Sequence, residues 1–524
     1  MNTVKLLKRF VILCLTLWMG MYCSAQEPEK PQTEAEKYYQ RMIDKPGIRE
    51  NPRGEHFCWQ AASGMNRFAE SYKAGKDADW IKWGIKYCDF LLDRMDTAPD
   101  GYKGWIGPYV YDHKRWCDVH VGDAILLRGI LDIALVVKQD ESLKKLYADK
   151  VKNYVETAKK HFFEKWDKRG TWRDDGPYGA YVSYDKYLEP ENLKEWKYGS
   201  SVKQSELTLP FNKEMDAAEV AVRLWQLTGE DFYRDKAEKI YLLVKSRFQY
   251  FDNHYAWNYW EPFGPWDIDL KKKTTRHWVG VHPYRSGYQA GEVGMIAEAY
   301  HYGLVFDKRD IQRIINTNLQ VMWNKDKENP EFINSNGRGK EKSAEGVEGF
   351  RKAWGHSNET KNAGQLWTGL LDFDQTIRDL YEARLEKDTG RSGRRHSYYE
   401  NVTKKEPASF KRKHAKDNVT VPKLDFTECG DISMAAVLPQ NIRKGQKTII
   451  ANQSFKPGEL EIALYSKNGK KKITQLYKGQ VRADQMFIME WDGTDPETKQ
   501  KYAGDYTIRW TLSDGYRQQS IRIN

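Results

Sequence analysis

Cysteine is scarce in this chain, six in 524 residues, and two of the six fall within its first 25. The other four, Cys58, Cys88, Cys117 and Cys429, are dispersed and lack metal-ligand spacing, so they permit a disulfide and say little else. The Walker loop, the dinucleotide fingerprint after a strand, the nucleophile elbow and HExxH are all missing. His277 and His282 with Asp267 or Asp269 come nearest to a metal set, but two histidines five apart in a loop are weak ligand spacing. No catalytic metal and no cofactor are expected; a structural Ca²⁺ held by loop carboxylates stays open. After its first residues the chain also lacks any apolar run long enough to span a bilayer.

The start of the chain is different. Lys5, Lys8 and Arg9 precede the apolar run Phe10 to Trp18 and the small-residue site Cys23, Ser24, Ala25. That order reads as a signal peptide over 1–25, so the mature protein is expected to be exported: periplasmic, cell-surface or secreted. A lipoprotein processed at Cys23 is the other reading, and Tyr22 fits it poorly. The net charge of +11 is unevenly spread, because residues 387–423 alone hold 11 Lys and Arg against 4 Asp and Glu. The body is nearly neutral, the basic run reads as a solvated linker, and nucleic acid is not an expected partner. Oligomeric state is not legible.

Five tetrads share the form polar, small, small, polar or acidic: QAAS (60–63), HVGD (120–123), DAAE (216–219), QAGE (289–292) and NAGQ (362–365), spaced 60, 96, 73 and 73 residues apart. Each opens an apolar stretch, as a capping-box-like helix start would. In three cases a polar turn leads to a second amphipathic helix, over Leu143–Phe163, Phe232–Phe248 and Ile311–Trp323. From about residue 430 apolar and polar residues alternate between Asn-Gly and Asp-Gly turns. The expected fold is therefore mainly α: an (α/α) toroid, an incomplete helical-hairpin barrel, over 26–386; a basic linker over 387–430; and a small antiparallel β-sandwich over 431–524. WDGTDPETKQKYAGDYTIRW in the last segment resembles the immunoglobulin-like module of flagellar hook-capping proteins, over roughly 20 residues. A role in secretion sorting is the alternative for this end.

Three segments between hairpins concentrate aromatic and polar side chains: GWIGPYVYDHKRWCDVH (104–120), WRDDGPYGAYVSYDKY (172–187), and FDNHYAWNYWEPFGPWDID (251–269) with its continuation RHWVGVHPYRSGY (276–288). Flat aromatic faces beside amides, carboxylates and guanidiniums suit sugar rings, which stack through C–H faces and hydrogen-bond through hydroxyls. Trp257, Trp260, Trp266, Arg276, His282, Tyr284, Glu292, His113, Arg115 and Trp116 are the candidate substrate contacts. The bland reading is that the aromatics plug one end of the helical array.

Asn253, His254, Arg285 and Tyr288 form the set that β-elimination on a uronic acid needs. The carboxylate must be neutralised, a base must take the C5 proton, and an acid must protonate the leaving oxygen. The Asn-His pair in DNHYAW followed by PYRSGY resembles the toroid-fold polysaccharide lyases, such as alginate, chondroitin and heparin-type lyases. That resemblance implies Asn253 and Arg285 at the carboxylate, with His254 and Tyr288 as base and acid. Its Arg-to-Tyr spacing of three is closer than in the alginate-lyase pattern, so Arg276, His282 or Tyr284 could hold a role instead. The expected activity is an exported lyase acting on an acidic, alginate-like polysaccharide. A glycoside hydrolase with two opposed carboxyls drawn from Asp216, Glu219, Glu261, Asp267, Asp269 and Glu292 is the rival. A non-catalytic surface glycan-binding protein is the third reading.

Overall fold

The computed structural model describes residues 32–332, 364–387 and 431–524, apart from 111–112, 185, 192–194, 203–205, 252, 278, 281, 283–286, 484 and 514. The expected signal peptide, nearly all of the basic linker, Cys429, Tyr284, Arg285 and half of NAGQ lie outside the described residues.

Four inner helices pack in sequence: α1 (Gly54–Ala62), α3 (His120–Lys138), α5 (Phe211–Thr228) and α7 (Tyr288–His301). Outer helices α2 (Ala78–Leu92), α4 (Glu141–Ala158), α6 (Asp231–Ser246) and α8 (Lys308–Asn316) back them. The polar turns work as caps. Asp140 accepts from the amides of Ser142 and Leu143 at the start of α4, and Asp307 and Asp310 satisfy each other's backbone at the start of α8. Helix α8 buries Ile311, Ile314 and Ile315 at the i, i+3, i+4 spacing of one face, whereas α5 is buried almost all round, from Phe211 to Trp225.

The tetrads do not act as caps. The N-caps of α3, α5 and α7 are Val119, Pro210 and Gly287, none with a side-chain capping bond, and QAAS ends α1 instead of opening it. The tetrad acids serve contacts between helices: Asp123 pairs with Lys165 at 2.5 Å, and Glu219 pairs with Arg223 and accepts from Tyr241. Their small residues let the helices approach, and a Cβ on Gly122 would sit 3.1 Å from Cys58 Sγ of α1.

The expected fold class needs correction. The chain is mixed α and β, because the segments between helix pairs are not loops. They form a four-stranded sheet (Gly107–Pro108, Trp116–Cys117, Lys186–Pro190, Trp196–Ser201) and hairpins at Trp172–Asp175/Tyr178–Tyr181, Gln249–Phe251/His254–Ala256 and Ile268–Asp269/Thr274–Thr275. Strands of two to six residues are too short to show a period-2 pattern in sequence. Among the described residues the inner row runs on from α7 into the turn Thr368–Leu370.

Nor is the C-terminal part a separate antiparallel sandwich. Strands β1 (Ile432–Leu438), β3 (Thr448–Ser454) and β6 (Phe487–Trp491) form one sheet. Strands β2 (Asn441–Ile442), β4 (Gly458–Ser466), β5 (Lys472–Val481), β7 (Gly504–Leu512) and β8 (Gly515–Ile523) form another, in which β2 runs parallel to β8. One face of the three-stranded sheet shares a core with the larger sheet through Ile432, Ala435, Val437 and Ile450. Its other face, Met434, Ala436, Leu438, Ile449 and Ala451, packs on Tyr259, Trp260, Ile268 and Val279 of the helical body. β1 and β3 are consequently buried along their whole length, which explains runs such as ISMAAVL that do not alternate.

Candidate functional site

The first residues of α1, α3 and α5 meet at one end of the inner row around a cleft of about 70 Å³. Glu55, His120 and Lys213 come from those helix starts, and Tyr109, Tyr184 and His277 from the segments between helix pairs. Each of the three aromatic segments thus contributes to one cleft. Lys213 Nζ lies 3.4 Å from Oε1 of the buried Glu55.

His120 is buried, and neither ring nitrogen has a hydrogen-bond partner. Its ring sits among Tyr181, Phe162 and Trp166, with centroids at 4.4, 4.7 and 5.3 Å. Burial pushes its pKa well below the usual histidine value, helped by the charges of Lys165, Lys236 and Lys213. His277 is pushed down to about 4, first by burial and then by Lys213. Both imidazoles are therefore neutral near pH 7. Beneath His120, the fully buried Lys165 pairs with Asp118 and Asp123, and Arg169 bridges Asp118 and Asp100. Every charge in this layer has a counter-charge, as burial demands.

A second cluster adjoins the cleft behind His277, on which Tyr259 and Trp260 pack. Glu292 Oε2 accepts from Trp257 Nε1 at 2.6 Å and lies 2.8 Å from His282 Nε2, all three side chains being buried. Tyr259 stacks on Tyr288, centroids 5.7 Å apart, and packs edge-on to His282 and His277. Trp260 packs edge-on to His277 at 5.3 Å.

The structure redistributes the residues singled out from sequence. Asn253 is at the tip of the 249–256 hairpin, where its Nδ2 donates to Gln320 Oε1 at 2.7 Å and its carbonyl accepts from Asn316. His254 is buried beside it, with Nδ1 3.2 Å from Asn253 Oδ1 and its ring stacked on Phe251. Asn253 faces the end of α8, and neither residue is among the described residues that line the cleft. Tyr288, 36% exposed, stands at the mouth of α7. Trp257 and Trp260 are 2% and 0% exposed, so they brace the second cluster and present no face to a sugar. Trp266 is half-buried, with Nε1 donating to Thr208 Oγ1 and Arg173 over its ring, and Arg276 Nη1 donates to the Trp266 carbonyl. His113 is exposed with φ 54°, Arg115 covers Tyr187, and Trp116 stacks on Trp196 at 5.0 Å.

The proposed hydrolase carboxylates hold structural posts. Asp267 accepts from Thr208 N and Oγ1 and from the amides of Phe263 and Gly264. Glu261 accepts from Asn258, Asp269 caps the turn at Lys271 and Lys272, and Asp216 pairs with Arg128 at 2.7 Å. Sequence reasoning missed Glu55 and Lys213, and did not single out His120 as a residue lining this cleft. The signal for His120 was present, since it sits where an aromatic segment runs directly into an apolar helix. Among the described residues no group of three His, Cys, Asp or Glu side chains is arranged to hold a metal ion, and no helix is long and apolar enough to cross a membrane.

No protein-family model matches this chain, and no curated protein matches it. Among solved structures it is similar to the Pseudomonas fluorescens alkylpurine DNA glycosylase AlkC bound to DNA containing an abasic site analog. The identity is 9%, the match covers 89% of this chain and 96% of that one, and the TM-score is 0.14. Overlap so low carries no weight for fold or function.

Proposed function

We propose that the protein is an exported lyase that cleaves a uronic-acid-containing polysaccharide by β-elimination, with the cleft at the starts of α1, α3 and α5 as its working site. The reading is carried by the cleft's set of groups: a cation, Lys213; two neutral imidazoles, His120 and His277; two phenols, Tyr109 and Tyr184; and one carboxylate, Glu55. Lys213 would pair with the uronate carboxylate and so acidify the C5 proton. His277, whose pKa is lowered in part by Lys213, would take that proton, and an incoming carboxylate would raise its basicity. Tyr184 would protonate the leaving glycosidic oxygen as the C4–O bond breaks and the C4–C5 double bond forms. The imidazolium and the tyrosinate then return to their starting states through solvent.

Hydrolysis is the weaker fit, because it needs two opposed carboxyls and, among the described residues, Glu55, already beside Lys213, is the one carboxyl lining the cleft. Export rests on the leader-like start of the sequence. The reaction as written uses side chains alone, and a structural Ca²⁺ would lie outside it.

The test is ultraviolet absorbance with time on alginate, glucuronan, pectate, chondroitin and hyaluronan, alongside a reducing-end assay on the same samples. Rising absorbance with new reducing ends supports elimination. New reducing ends without absorbance overturn it in favour of hydrolysis, and binding without either product leaves a glycan-binding protein.

A further inference from the structure

The strongest unexplained polar cluster is not in the cleft. It lies between the helical body and the C-terminal sheets. The carbonyl of Ser433, in β1, accepts from Gln249 Nε2 at 2.7 Å, Asn258 Nδ2 at 3.1 Å and Arg517 Nη1 of β8 at 3.4 Å. Glu261 Oε2 sits 3.7 Å from Arg517 Nη2 and 4.0 Å from Arg247 Nε, while its Oε1 accepts from Asn258 at 2.6 Å. Every residue of this knot is buried, with Glu261 and Arg247 each 1% exposed and Arg517 8%.

Charges removed so completely from water remain only where geometry holds them in place. The geometry here ties the C-terminal sheets to one stretch of the body, residues 257–267. That stretch is in turn stitched to the cleft at Thr208, through Trp260 Nε1 to its carbonyl, Trp266 Nε1 to its hydroxyl and Asp267 to its amide and hydroxyl. The Tyr259 carbonyl also accepts from the amide of Phe211, the first residue of α5, two positions before Lys213.

We infer that Arg517 and Glu261 are positioning residues for the cleft, and that the C-terminal sheets are a built-in support of the working site and not only a sorting or anchoring tail. The inference rests on the proposed function for the statement that the cleft works on a glycan. Its structural half does not.

The experiment uses the full chain and the variants Arg517→Met, Arg517→Lys and Asn258→Ala. Hydrogen exchange without substrate is followed in 257–267, with 458–481 as the reference for an intact C-terminal part. In Arg517→Met the stretch 257–267 is expected to exchange on the order of tenfold faster or more, while 458–481 stays protected. KM for the glycan should rise more than kcat falls, because the stretch 257–267 holds the cleft lining in place through Thr208 and does no chemistry. Arg517→Lys, which keeps the charge, should recover much of both effects.

Unchanged exchange in 257–267 together with unchanged KM overturns the inference. Should Arg517→Met lose protection across 458–481, Asn258→Ala decides, since it cuts the tie from the body side; faster exchange in 257–267 supports the inference and unchanged exchange overturns it. A wild-type protein that turns over no glycan would remove the functional reading while the exchange result still judged the clamp.

Discussion

The indole Nε1 of Trp260 donates to the main-chain carbonyl of Thr208 across 2.8 Å, with both residues at 0% exposure. The tryptophan most deeply embedded in the aromatic 251–269 segment is thus a strut behind the cleft. Trp260→Phe keeps one aromatic ring but loses part of the indole's packing and leaves a buried carbonyl short of a donor, the lost donor alone costing about 1–3 kcal/mol. Trp260→Ala adds a cavity and should cost about 3–5 kcal/mol. Urea unfolding midpoints for both variants check the order, and affinity for substrate should fall with them.

Lys213→Gln should reduce kcat/KM on a uronate polymer by about 10²–10³, the usual worth of a group that stabilises developing charge. On the methyl-esterified polymer, which has no carboxylate to neutralise, the same substitution should matter far less. Comparing wild type and variant on pectate and on methylated pectin measures this. An equal loss on both would remove Lys213 from the carboxylate.

Acid should weaken the fold through its buried histidines. His277 titrates near 4 in the native state, below the ordinary value of 6.5, so the unfolded chain binds more protons between those limits. Stability from this group is complete above about pH 6.5 and is lost as pH falls toward 4, at up to about 1.4 kcal/mol per pH unit. His120 is displaced in the same direction and His161 is pushed to about 4, both chiefly by burial. Urea midpoints at pH 7 and pH 5 should differ more for wild type than for His277→Gln. That comparison isolates His277 from buried carboxylates such as Glu214, whose raised pKa acts in the opposite sense.

Some of this was legible in the sequence and some was not, for physical reasons. Amphipathic helices such as α8 announce themselves, because one face must be apolar, and the Asp140 and Asp307 turns mark the helix starts. Short strands such as Trp172–Asp175 leave no periodic trace. In sequence Asn253 and His254 stand with Arg285 and Tyr288 as the set an elimination needs; the hairpin tip engages Asn253 with Gln320 and Asn316, while His254 stacks on Phe251. Glu55, Lys213 and His277 are far apart in sequence and meet only through the packing of α1 on α3 and α3 on α5. No spacing rule brings those three together.

His254→Ala should therefore leave turnover within about twofold of wild type, in the range of a substitution away from the reacting atoms. Its own cost is the loss of ring packing on Phe251. A loss of turnover with normal stability would move the working site to the 249–256 hairpin.

Asp267 separates the lyase and hydrolase readings most sharply. Its two oxygens accept from the Thr208 amide, the Thr208 hydroxyl and the amides of Phe263 and Gly264, and its side chain is fully buried. Burial raises its pKa while these donors pull it down, the pattern of a carboxylate held by hydrogen bonds. Asp267→Asn replaces one acceptor by an NH₂ that must face backbone donors, which should cost about 2–4 kcal/mol as buried groups go unsatisfied. A structural post predicts that loss, with residual activity in whatever fraction stays folded at low temperature. A hydrolase acid or nucleophile predicts the reverse, a near-native unfolding midpoint and turnover reduced by orders of magnitude. Measuring the urea midpoint and the reducing-end rate on the same preparation distinguishes them, and the four hydrogen bonds favour the first outcome.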